Sequence, residues 1–557
     1  MEYQVCQQRI SKRRPILIVL LAGAFFLGQT ELALADETPA VTTNCDRLAA
    51  DPYDPGRVGP GIPTKSLRMN LHAAEEACQA AVSDQPLTSR FHAYLARTLR
   101  LAKKYEAALG EAHIAAGSGS ISAMATLGLM AGSGYGMVED GPEAVKWLLN
   151  AAEANHGAAE NNLGLMYYLG RAGLKRNFEE AVKWFQRGAD HGSPNAQISM
   201  SSVYSVGWLR VKDPAQVFLW AMAAAKQGDM VGQTIVGDAY QQGIGVPSDG
   251  EKAVFWLRQA AEQGEAHAQT ELALNYINGV GITKDYGQAM RWYKAAADQG
   301  VGLGAYNVGI MYVEAEAVQR DEIEGLRWFL KAIAGHYLKA LDAVASVVAS
   351  KPESLTWLRN EAHQGNVGAQ LTLATMNKEG VGVPKNQNEA TKWYLLAAQQ
   401  GDSLAQQTVS VRYRLGIGVE KDPTMAAKWA EKSARQENIL AQVMLAMQYE
   451  VGVGVPRNDM QAYKWYLSAA ERGSLNAKFH LALLYHAGIG VSRDDIQSCM
   501  WASLAASLGH TDAQKLMNTL RRSMSTADFQ KAEHLTADWI ANYPALLGNE
   551  ITVMVEE

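Results

Sequence analysis

The chain is short of cysteine, with only 4 among its 557 residues. That count excludes a cysteine-rich disulfide scaffold and the zinc modules built on paired cysteines. Cys6 lies in the first, basic segment, and Cys499 lies two residues before Trp501, where a small core side chain is expected. Cys45 and Cys78 flank a turn-rich segment. In an oxidising compartment they are expected to form a disulfide, the alternative being two reduced, buried thiols.

Assembled catalytic and metal-binding motifs are also missing. The chain contains no Gly-x-Ser-x-Gly elbow, no Ser-x-x-Lys pair and no His-Glu-x-x-His motif. Gly-x-Gly pairs recur, but without the third glycine of a nucleotide-binding loop, so they are predicted to be turn residues. His156 and His191 are placed near helix ends, where a cation interacts favourably with the helix dipole. The sequence therefore predicts no catalytic residue, no metal site and no cofactor.

Long apolar runs are absent except near the N-terminus. A run of thirteen residues, 16–28, follows the basic residues Arg9, Lys12, Arg13 and Arg14. Small residues then precede Asp36, a pattern typical of a secretory signal peptide over residues 1–35, cleaved after Ala35. Retention as a membrane anchor is the alternative, but thirteen helical residues span only about 20 Å, against roughly 30 Å for a bilayer core. We expect a periplasmic or secreted chain without a stable membrane span.

An excess of basic charge is the remaining absence. The net charge is −6, and residues 1–35 hold four basic and two acidic side chains, so the rest of the chain is more acidic still. An acidic surface repels the phosphate backbone of nucleic acids. Nucleic-acid binding is therefore not expected.

What the chain has is a period. Eleven of its 13 tryptophans are separated by 36 or 37 residues, apart from one gap of 29. They are Trp147, Trp184, Trp220, Trp256, Trp292, Trp328, Trp357, Trp393, Trp429, Trp465 and Trp501. A period of this size predicts one helical hairpin per repeat, hence an all-α fold: an α/α superhelical solenoid of about eleven repeats over residues 121–515. Such a stack offers a long curved surface, so recognition is expected rather than catalysis.

Each period also carries helix start and stop signals. In residues 249–300, Ala253, Trp256 and Leu257 lie on one face of a helix, and Gly264 follows where the chain must turn. Seven residues before every periodic tryptophan stands a side chain able to cap a helix N-terminus, an interaction that contributes about 1 kcal/mol. These are Asp140, Asn177, Asp213, Asp249, Asp285, Asp321, Ser350, Asn386, Asp422, Asn458 and Asp494.

The repeated motif carries a family resemblance. The pattern A-x-x-x-L-G-x-M-Y, then G-x-G-V, then A-x-x-W-Y-x-x-A-A-x-x-G is clearest in residues 162–167 and 462–470. It resembles the Sel-one-like repeat (SLR), a relative of the tetratricopeptide repeat. The resemblance implies a right-handed superhelix that serves as a protein–protein interaction scaffold. In bacteria it implies a role in the envelope, as an adaptor or as a partner of signalling and cell-wall proteins.

One unit, near residues 301–365, departs from the pattern. The period drops by seven between Trp328 and Trp357, and Ala315 and Ala317 replace loop glycines in the preceding unit. A local acidic run is added there, consisting of Glu314, Glu316, Asp321, Glu322 and Glu324. This stretch is interpreted as a hinge or as a divergent partner-binding patch, the alternative being a tolerated deletion with a solvated acidic loop. Trp208, which is off the period and replaces a loop glycine, is a second candidate for partner binding.

The array is flanked by two further segments. Residues 36–120 are predicted to form a turn-rich segment, partly disordered over 36–66, followed by a tetratricopeptide-like helical cap with helices at about 68–82, 88–100 and 104–116. Residues 516–557 are predicted to form a closing helix over 526–541, containing Trp539, and a tail.

The resulting functional hypothesis is an exported, non-enzymatic scaffold or adaptor of the bacterial envelope. It would bind a protein or an extended peptide along the concave face of the solenoid, with regulation of a signalling partner as one form of this role. The alternative is an accessory protein of the cell wall, associated with peptidoglycan or another polysaccharide through exposed aromatic side chains such as Trp208.

Overall fold

The fold was analysed in a computed structural model that describes residues 42–542, apart from residues 56, 59, 63, 208–211 and 317. The predicted signal over residues 1–35, Trp208, Ala317 and the tail beyond residue 542 therefore lie outside the described residues. The rest is built from helices and their connecting turns.

The helices succeed one another with short connections. The first part of the chain contains α1 (Asn44–Ala49), α2 (Thr64–Met69), α3 (Leu71–Asp84), α4 (Ser89–Leu101) and α5 (Tyr105–Gly117). The next twelve are α6 (Ile121–Ser133), α7 (Gly141–Glu153), α8 (Gly157–Leu169), α9 (Phe178–Asp190), α10 (Pro194–Val206), α11 (Pro214–Lys226), α12 (Met230–Gln242), α13 (Gly250–Glu262), α14 (Ala266–Asn278), α15 (Tyr286–Asp298), α16 (Gly302–Glu314) and α17 (Glu322–Ala334). The last twelve are α18 (Ala340–Ser350), α19 (Glu353–His363), α20 (Val367–Glu379), α21 (Gln387–Gln399), α22 (Ser403–Leu415), α23 (Pro423–Arg435), α24 (Ile439–Val451), α25 (Asp459–Glu471), α26 (Leu475–Ala487), α27 (Asp495–Ser507), α28 (Thr511–Ser523) and α29 (Thr526–Asn542).

Helices α6 to α27 form eleven stacked hairpins, which confirms the predicted all-α solenoid. We call the even-numbered first helix of each hairpin the inner helix and the odd-numbered second helix the outer helix. Between α4 and α14, successive even-numbered helices pack on one another, from the pair α4–α6 to the pair α12–α14. Each also packs on its hairpin partner. Closer approach on one side curves a stack of hairpins, so the inner helices line the inside of the curve.

The predicted helix caps are present in ten of the eleven hairpins. In each of the ten, the predicted Asp or Asn accepts a hydrogen bond from a first-turn amide of the outer helix. The prediction is wrong at Ser350. This residue ends α18, its hydroxyl donates to the carbonyl of Val347 at 2.9 Å, and α19 begins after Pro352. Because the connection between α18 and α19 is short, the residue seven before Trp357 still belongs to α18 and cannot cap α19.

The periodic tryptophans hold neighbouring hairpins together. Trp292, Trp393, Trp429 and Trp501 are buried, and the other seven are half-buried. In a representative unit, Trp465 of α25 packs against Ala430 of the preceding outer helix and Leu445 of its own inner helix. Each large indole thus covers the joint between two units, where burial of apolar area stabilises the stack.

The loop glycines allow a close approach between units. Gly281 has φ 67°, and a Cβ atom there would lie 2.0 Å from the carbonyl oxygen of Gly250, the first residue of the preceding outer helix. Only glycine therefore fits at this position. Ala315, which replaces a loop glycine in the irregular unit near residues 301–365, also takes a left-handed conformation, with φ 63°. It is the cap residue after α16.

A ladder of buried glutamines, which the sequence reading did not identify, also links the units. In six inner helices a glutamine donates from Nε2 to a last-turn carbonyl of the preceding outer helix, at 3.0–3.4 Å. In five of them its Oε1 accepts a hydrogen bond from a glutamine that ends the next outer helix. The six are Gln197, Gln233, Gln269, Gln370, Gln406 and Gln442. Each one adds a second hydrogen bond to a helix-end carbonyl that already accepts one from a backbone amide of the following turn, and so joins two successive units.

The glutamine ladder is interrupted in the irregular unit near residues 301–365, but the hydrophobic core continues through it. Ala305 stands at the ladder position of α16, and α18 and α19 are shortened to 11 residues each. Even so, Leu326, Val344, Leu358 and Leu373 belong to one continuous hydrophobic cluster, and α17 packs directly on α20. The shortened unit is therefore built into the stack.

The N-terminal segment is more ordered than predicted. The helical cap is present as α3, α4 and α5, and a disulfide joins Cys45 of α1 to Cys78 of α3. The expectation of disorder over 36–66 is wrong for its described part. There, α1 and the N-terminal loop (residues 50–62) pack on the array, and Asp51 and Asp54 are buried.

The C-terminal end is closed by two helices. The predicted closing helix is α29, whose Trp539 ring lies 5.8 Å from that of Trp501. The predicted boundary between residues 515 and 516 falls inside α28, because the inner-helix pattern continues for one more helix. Cys499 is buried beside Leu520 and Ala532, as expected of a small core residue.

Candidate partner-binding surface

The N-terminal loop lies on the first inner helices. Arg97 of α4, itself buried, donates to the carbonyl oxygens of Ala49 and Ala50 at 3.2 Å and of Ile62 at 2.8 Å. The amide of Ile62 donates to the carbonyl of Ala50 at 2.8 Å. The guanidinium of Arg97 therefore holds the two ends of the N-terminal loop together.

Asp51, the residue after Ala50, connects the N-terminal loop to two inner helices. Its Oδ2 atom accepts a hydrogen bond from Ser122 of α6 at 2.6 Å and lies 3.4 Å from Nε2 of His156, the residue before α8. Burial by itself would raise the pKa of Asp51, but the hydrogen bond with His156 and the nearby charge of Arg97 lower it well below its usual value. Asp51 is therefore ionised and fully partnered inside the protein.

His156 has a different role from the one expected. It caps the N-terminus of α8, where Nδ1 accepts a hydrogen bond from the amide of Ala159 at 3.3 Å. Because His156 lies at a helix N-terminus, where the dipole disfavours a cation, the expected cation–dipole role is wrong for His156. His191 does end α9, and it pairs with the buried Glu160 at 2.7 Å.

Tyr53 carries the contact to the next inner helix. Its ring lies 5.4 Å from that of His156, edge to face, and its hydroxyl lies close to Ser193, the cap residue of α10. Burial, with the nearby charge of Asp51, raises the pKa of Tyr53 to about 12. The N-terminal ends of α6, α8 and α10 thus already contact an irregular segment of the chain itself.

The inner helices α22, α24 and α26 carry exposed apolar side chains. Leu440, Met447 and Val451 lie on one side of α24, at positions i, i+7 and i+11, and all three are exposed. Leu415 of α22 and Leu483 of α26 occupy corresponding positions, 36 residues from Val451 and Met447 respectively. We call these five residues the inner apolar patch. Met447 is 45% exposed and Leu483 36% exposed.

The predicted acidic patch is only partly available for binding. Asp321 caps α17 by accepting from the amide of Glu324 at 2.9 Å. Glu322 pairs with Arg320 at 2.9 Å and with Lys351 at 3.6 Å, and so ties α17 to the turn between α18 and α19. Glu314 is exposed at the end of α16, and burial, with the charge of Glu314, raises the pKa of the half-buried Glu316. Glu324 accepts a hydrogen bond from the indole of Trp328 at 3.1 Å. Three of the five acidic residues are therefore structural, and Glu314 and Glu316 remain as the candidates for partner binding.

The second predicted binding residue, Trp208, lies outside the described residues. Within the described residues, the exposed aromatic side chains are Tyr135, in the loop after α6, and Phe255 and Tyr286, on outer helices. The polysaccharide alternative, which depended on aromatic side chains in the groove, stays a prediction.

The chemistry of the described residues is otherwise unremarkable for a scaffold. They contain no group of three histidine, cysteine or acidic side chains placed to hold a metal ion, and no helix long and apolar enough to cross a membrane. Burial raises the pKa of the Cys499 thiol, which disfavours the reactive thiolate. Two recesses, of about 350 and 520 Å³, lie on the outer helix α23 and between α21 and the loop before α23.

The repeats match a known family. The Sel1 repeat model matches residues 121–156, 157–193, 231–265, 266–301, 302–337, 367–402, 403–438, 439–474 and 475–510, more than half of the chain. The chain belongs to the Sel1 repeat family. Proteins of this family are generally protein–protein interaction scaffolds and are typically non-catalytic. The two hairpins that the family model leaves unmatched are α10–α11, whose loop contains Trp208, and the shortened α18–α19.

Solved structures of Sel1 repeat proteins are similar to this chain. A protective antigen of uropathogenic Escherichia coli with an SLR fold is 27% identical, with 85% of this chain and 96% of that chain covered and a TM-score of 0.41. A Sel1 repeat protein of Oxalobacter formigenes is 27% identical, with 61% and 89% covered and a TM-score of 0.34. Among curated proteins, chitin synthase regulatory factor 3 of Schizosaccharomyces pombe is 33% identical over 94 residues. That match spans 17% of this chain and only 10% of the yeast protein.

Proposed function

We propose that this Sel1 repeat protein is an exported, non-enzymatic adaptor of the bacterial envelope that binds a protein or an extended peptide along its inner helices. The observation that carries the proposal is the inner apolar patch of α22, α24 and α26, which is left exposed to solvent. Burial of apolar area drives most protein association, so such a patch favours a protein partner.

The N-terminal loop supports the same mode of binding. Asp51 and Tyr53 belong to an irregular segment that contacts the N-terminal ends of successive inner helices, where Asp51 accepts a hydrogen bond from Ser122. A partner segment on α22–α26 would likewise contact several inner helices in succession.

Site-specific photocrosslinking in intact cells tests the proposal. A photoreactive amino acid at Met447 is expected to give adducts with one protein, and excess unmodified protein is expected to compete them away. The matched control is Phe255, which is 54% exposed but lies on the outer helix α13. Adducts that form only from position 255, or equally from both positions, would count against an inner binding surface.

The export part of the proposal is supported by the basic and apolar pattern of residues 1–35 and by the disulfide between Cys45 and Cys78. N-terminal sequencing of the protein purified from its native host is expected to begin at Asp36, in the periplasmic or the secreted fraction. A chain that retains residue 1 and fractionates with the cytoplasm would overturn this part and leave the binding surface in place.

A further inference from the structure

The inner helices are segregated from the outer helices by charge. From α6 to α18, the seven inner helices contain no lysine and no arginine, whereas every outer helix from α7 to α19 contains at least one. The inner helices of this stretch carry five carboxylates: Glu160 and Asp238 pair with basic groups of the protein, and the other three are Glu271, Glu314 and Asp342. His267 is the one histidine on these helices, and its charge is matched within the protein by Asp238 at 3.1 Å.

No lysine or arginine of these inner helices offsets the carboxylates of Glu271, Glu314 and Asp342. The negative charge of these carboxylates therefore repels acidic partners and attracts basic ones. Glu271 accepts a hydrogen bond from the neutral Gln241 at 2.9 Å, and Glu314 and Asp342 are exposed. Complementary charge across an interface favours association, and like charges placed opposite one another disfavour it. The surface from α12 to α18 thus suits a basic chain.

The inner apolar patch imposes a second requirement. Met447, together with the half-buried Met444 one turn before it, gives α24 flexible and polarisable side chains. Such side chains adapt to large apolar groups of varied shape. The surface from α22 to α26 thus suits apolar side chains.

The two surfaces follow one another along the same side of the stack, beyond the part that the N-terminal loop already occupies. Neighbouring helices pack about 8–10 Å apart, so α14 and α24 are separated by roughly 40–50 Å. An extended chain covers that distance in about 12–15 residues.

We propose that the inner helices bind an extended protein segment with basic residues at one end and large apolar residues at the other. The basic residues would lie on α12 to α18 and the apolar residues on the inner apolar patch. This inference rests on the proposed function and adds the chemistry of the partner.

Binding of designed peptides to the purified protein tests the inference. Three fluorescent peptides of 18 residues are compared by anisotropy: one with a lysine- and arginine-rich half and a leucine- and methionine-rich half, one with glutamates in place of the basic residues, and one with serines in place of the apolar residues. The first is expected to bind at least tenfold more tightly than either of the others, and to weaken as the salt concentration rises.

Variants of the protein locate the two contacts. Met447→Glu is expected to weaken the basic–apolar peptide at least tenfold, whereas Phe255→Glu, on an outer helix, is expected to leave its affinity unchanged. Glu271→Gln combined with Glu314→Gln is expected to reduce the preference for the basic over the acidic peptide about threefold or more. Glutamine can still accept the hydrogen bond from Gln241, so this variant is expected to keep the fold, which circular dichroism checks.

The outcomes separate the two proposals. Equal binding of the acidic and basic peptides, or no effect of Met447→Glu, would overturn the inference about partner chemistry. Crosslinking at Met447 to a protein without a basic–apolar segment would also overturn it, while the scaffold function would stand. No competable adduct from the inner position would instead overturn the scaffold function itself.

Discussion

The two ends of the array are closed by different chemistry. At the N-terminal end, the disulfide, the three hydrogen bonds of Arg97 and the contacts of Asp51 leave these buried polar groups with partners. At the C-terminal end, α29 places the Trp539 ring 4.6 Å from Nζ of Lys478. That ammonium group is fully buried and has no hydrogen-bond partner among the described residues.

The difference follows from the glutamine ladder. Lys478 stands 36 residues after Gln442, at the ladder position of α26, and Leu508 stands where the partner glutamine of the next outer helix would be. The N-terminal end thus gains stability from paired polar groups, whereas the C-terminal end gains it from aromatic area and carries a desolvated cation. We expect the C-terminal helices to open first.

The largest expected effect is at the N-terminal closure. Arg97→Met removes the donors to three loop carbonyls and leaves Asp51 without its nearby guanidinium, which is expected to cost about 3–5 kcal/mol in the local stability of α1 to α4. Native-state hydrogen exchange measures that local stability. Arg47→Met, on the exposed face of α1, is the control and is expected to change it by less than about 0.5 kcal/mol. Equal effects of the two substitutions would mean that the hydrogen bonds of Arg97 do not hold the loop.

At the C-terminal closure, Trp539→Ala removes the ring that covers Lys478 and packs on Trp501. Losing a buried tryptophan typically costs about 3–5 kcal/mol, and renewed hydration of Lys478 offsets part of this, so we expect about 2–4 kcal/mol. Faster hydrogen exchange should be confined to α26 to α29. Faster exchange at α1 to α4 as well would show that the two ends are not independent.

The desolvated cation gives a stabilising prediction. Burial lowers the pKa of Lys478 to about 8 from an ordinary value of 10.5, because the folded state favours the neutral amine. The cost is fully present below pH 8, and stability is expected to rise by up to about 3 kcal/mol as the pH increases from 8 to 10.5. Lys478→Met is expected to stabilise α26 to α29 by about 1–3 kcal/mol at pH 7 and to abolish this rise. Lys515→Met, on the exposed face of α28, should do neither.

The smallest expected effect is within the regular hairpins. Gln269→Leu removes the side-chain hydrogen bond to the carbonyl of Ala261, which keeps its bond from the Gly264 amide, and the hydrogen bond from Gln299, and is expected to cost about 1 kcal/mol. Gln514→Leu is the matched control, because it has the same helix position in α28 but is exposed. Urea titrations followed by circular dichroism compare the two variants. A similar loss in both would show that the ladder adds nothing to stability.

Several elements could be predicted from local sequence alone. The caps Asp249 and Asp285 and the tryptophans that follow them recur every 36 residues, because each hairpin packs on its neighbours in the same way. The prediction at Ser350 was wrong because the connection between α18 and α19 is too short for a capping residue. The ladder could have been found, since Gln197, Gln233 and Gln269 stand 36 residues apart.

The candidate surface was harder to predict. Glu322 was predicted as a binding residue but pairs with Lys351, which lies beyond the next helix. Met447 and Leu483 resemble core residues in sequence, and only the packing of the hairpins shows that their side of the helix is open. The contacts of Asp51 join residues 71 and 105 positions apart, and no periodicity connects them.

By itself, the order of amino acids determined that this protein is a stack of helical hairpins, because helix caps, turns and indole spacing act within one repeat or between neighbours. The tertiary structure decided which side of each helix stays open, which loop occupies the start of the inner side, and where a lysine is buried without a partner. Those features depend on residues far apart in the chain, which come together only once the stack has formed.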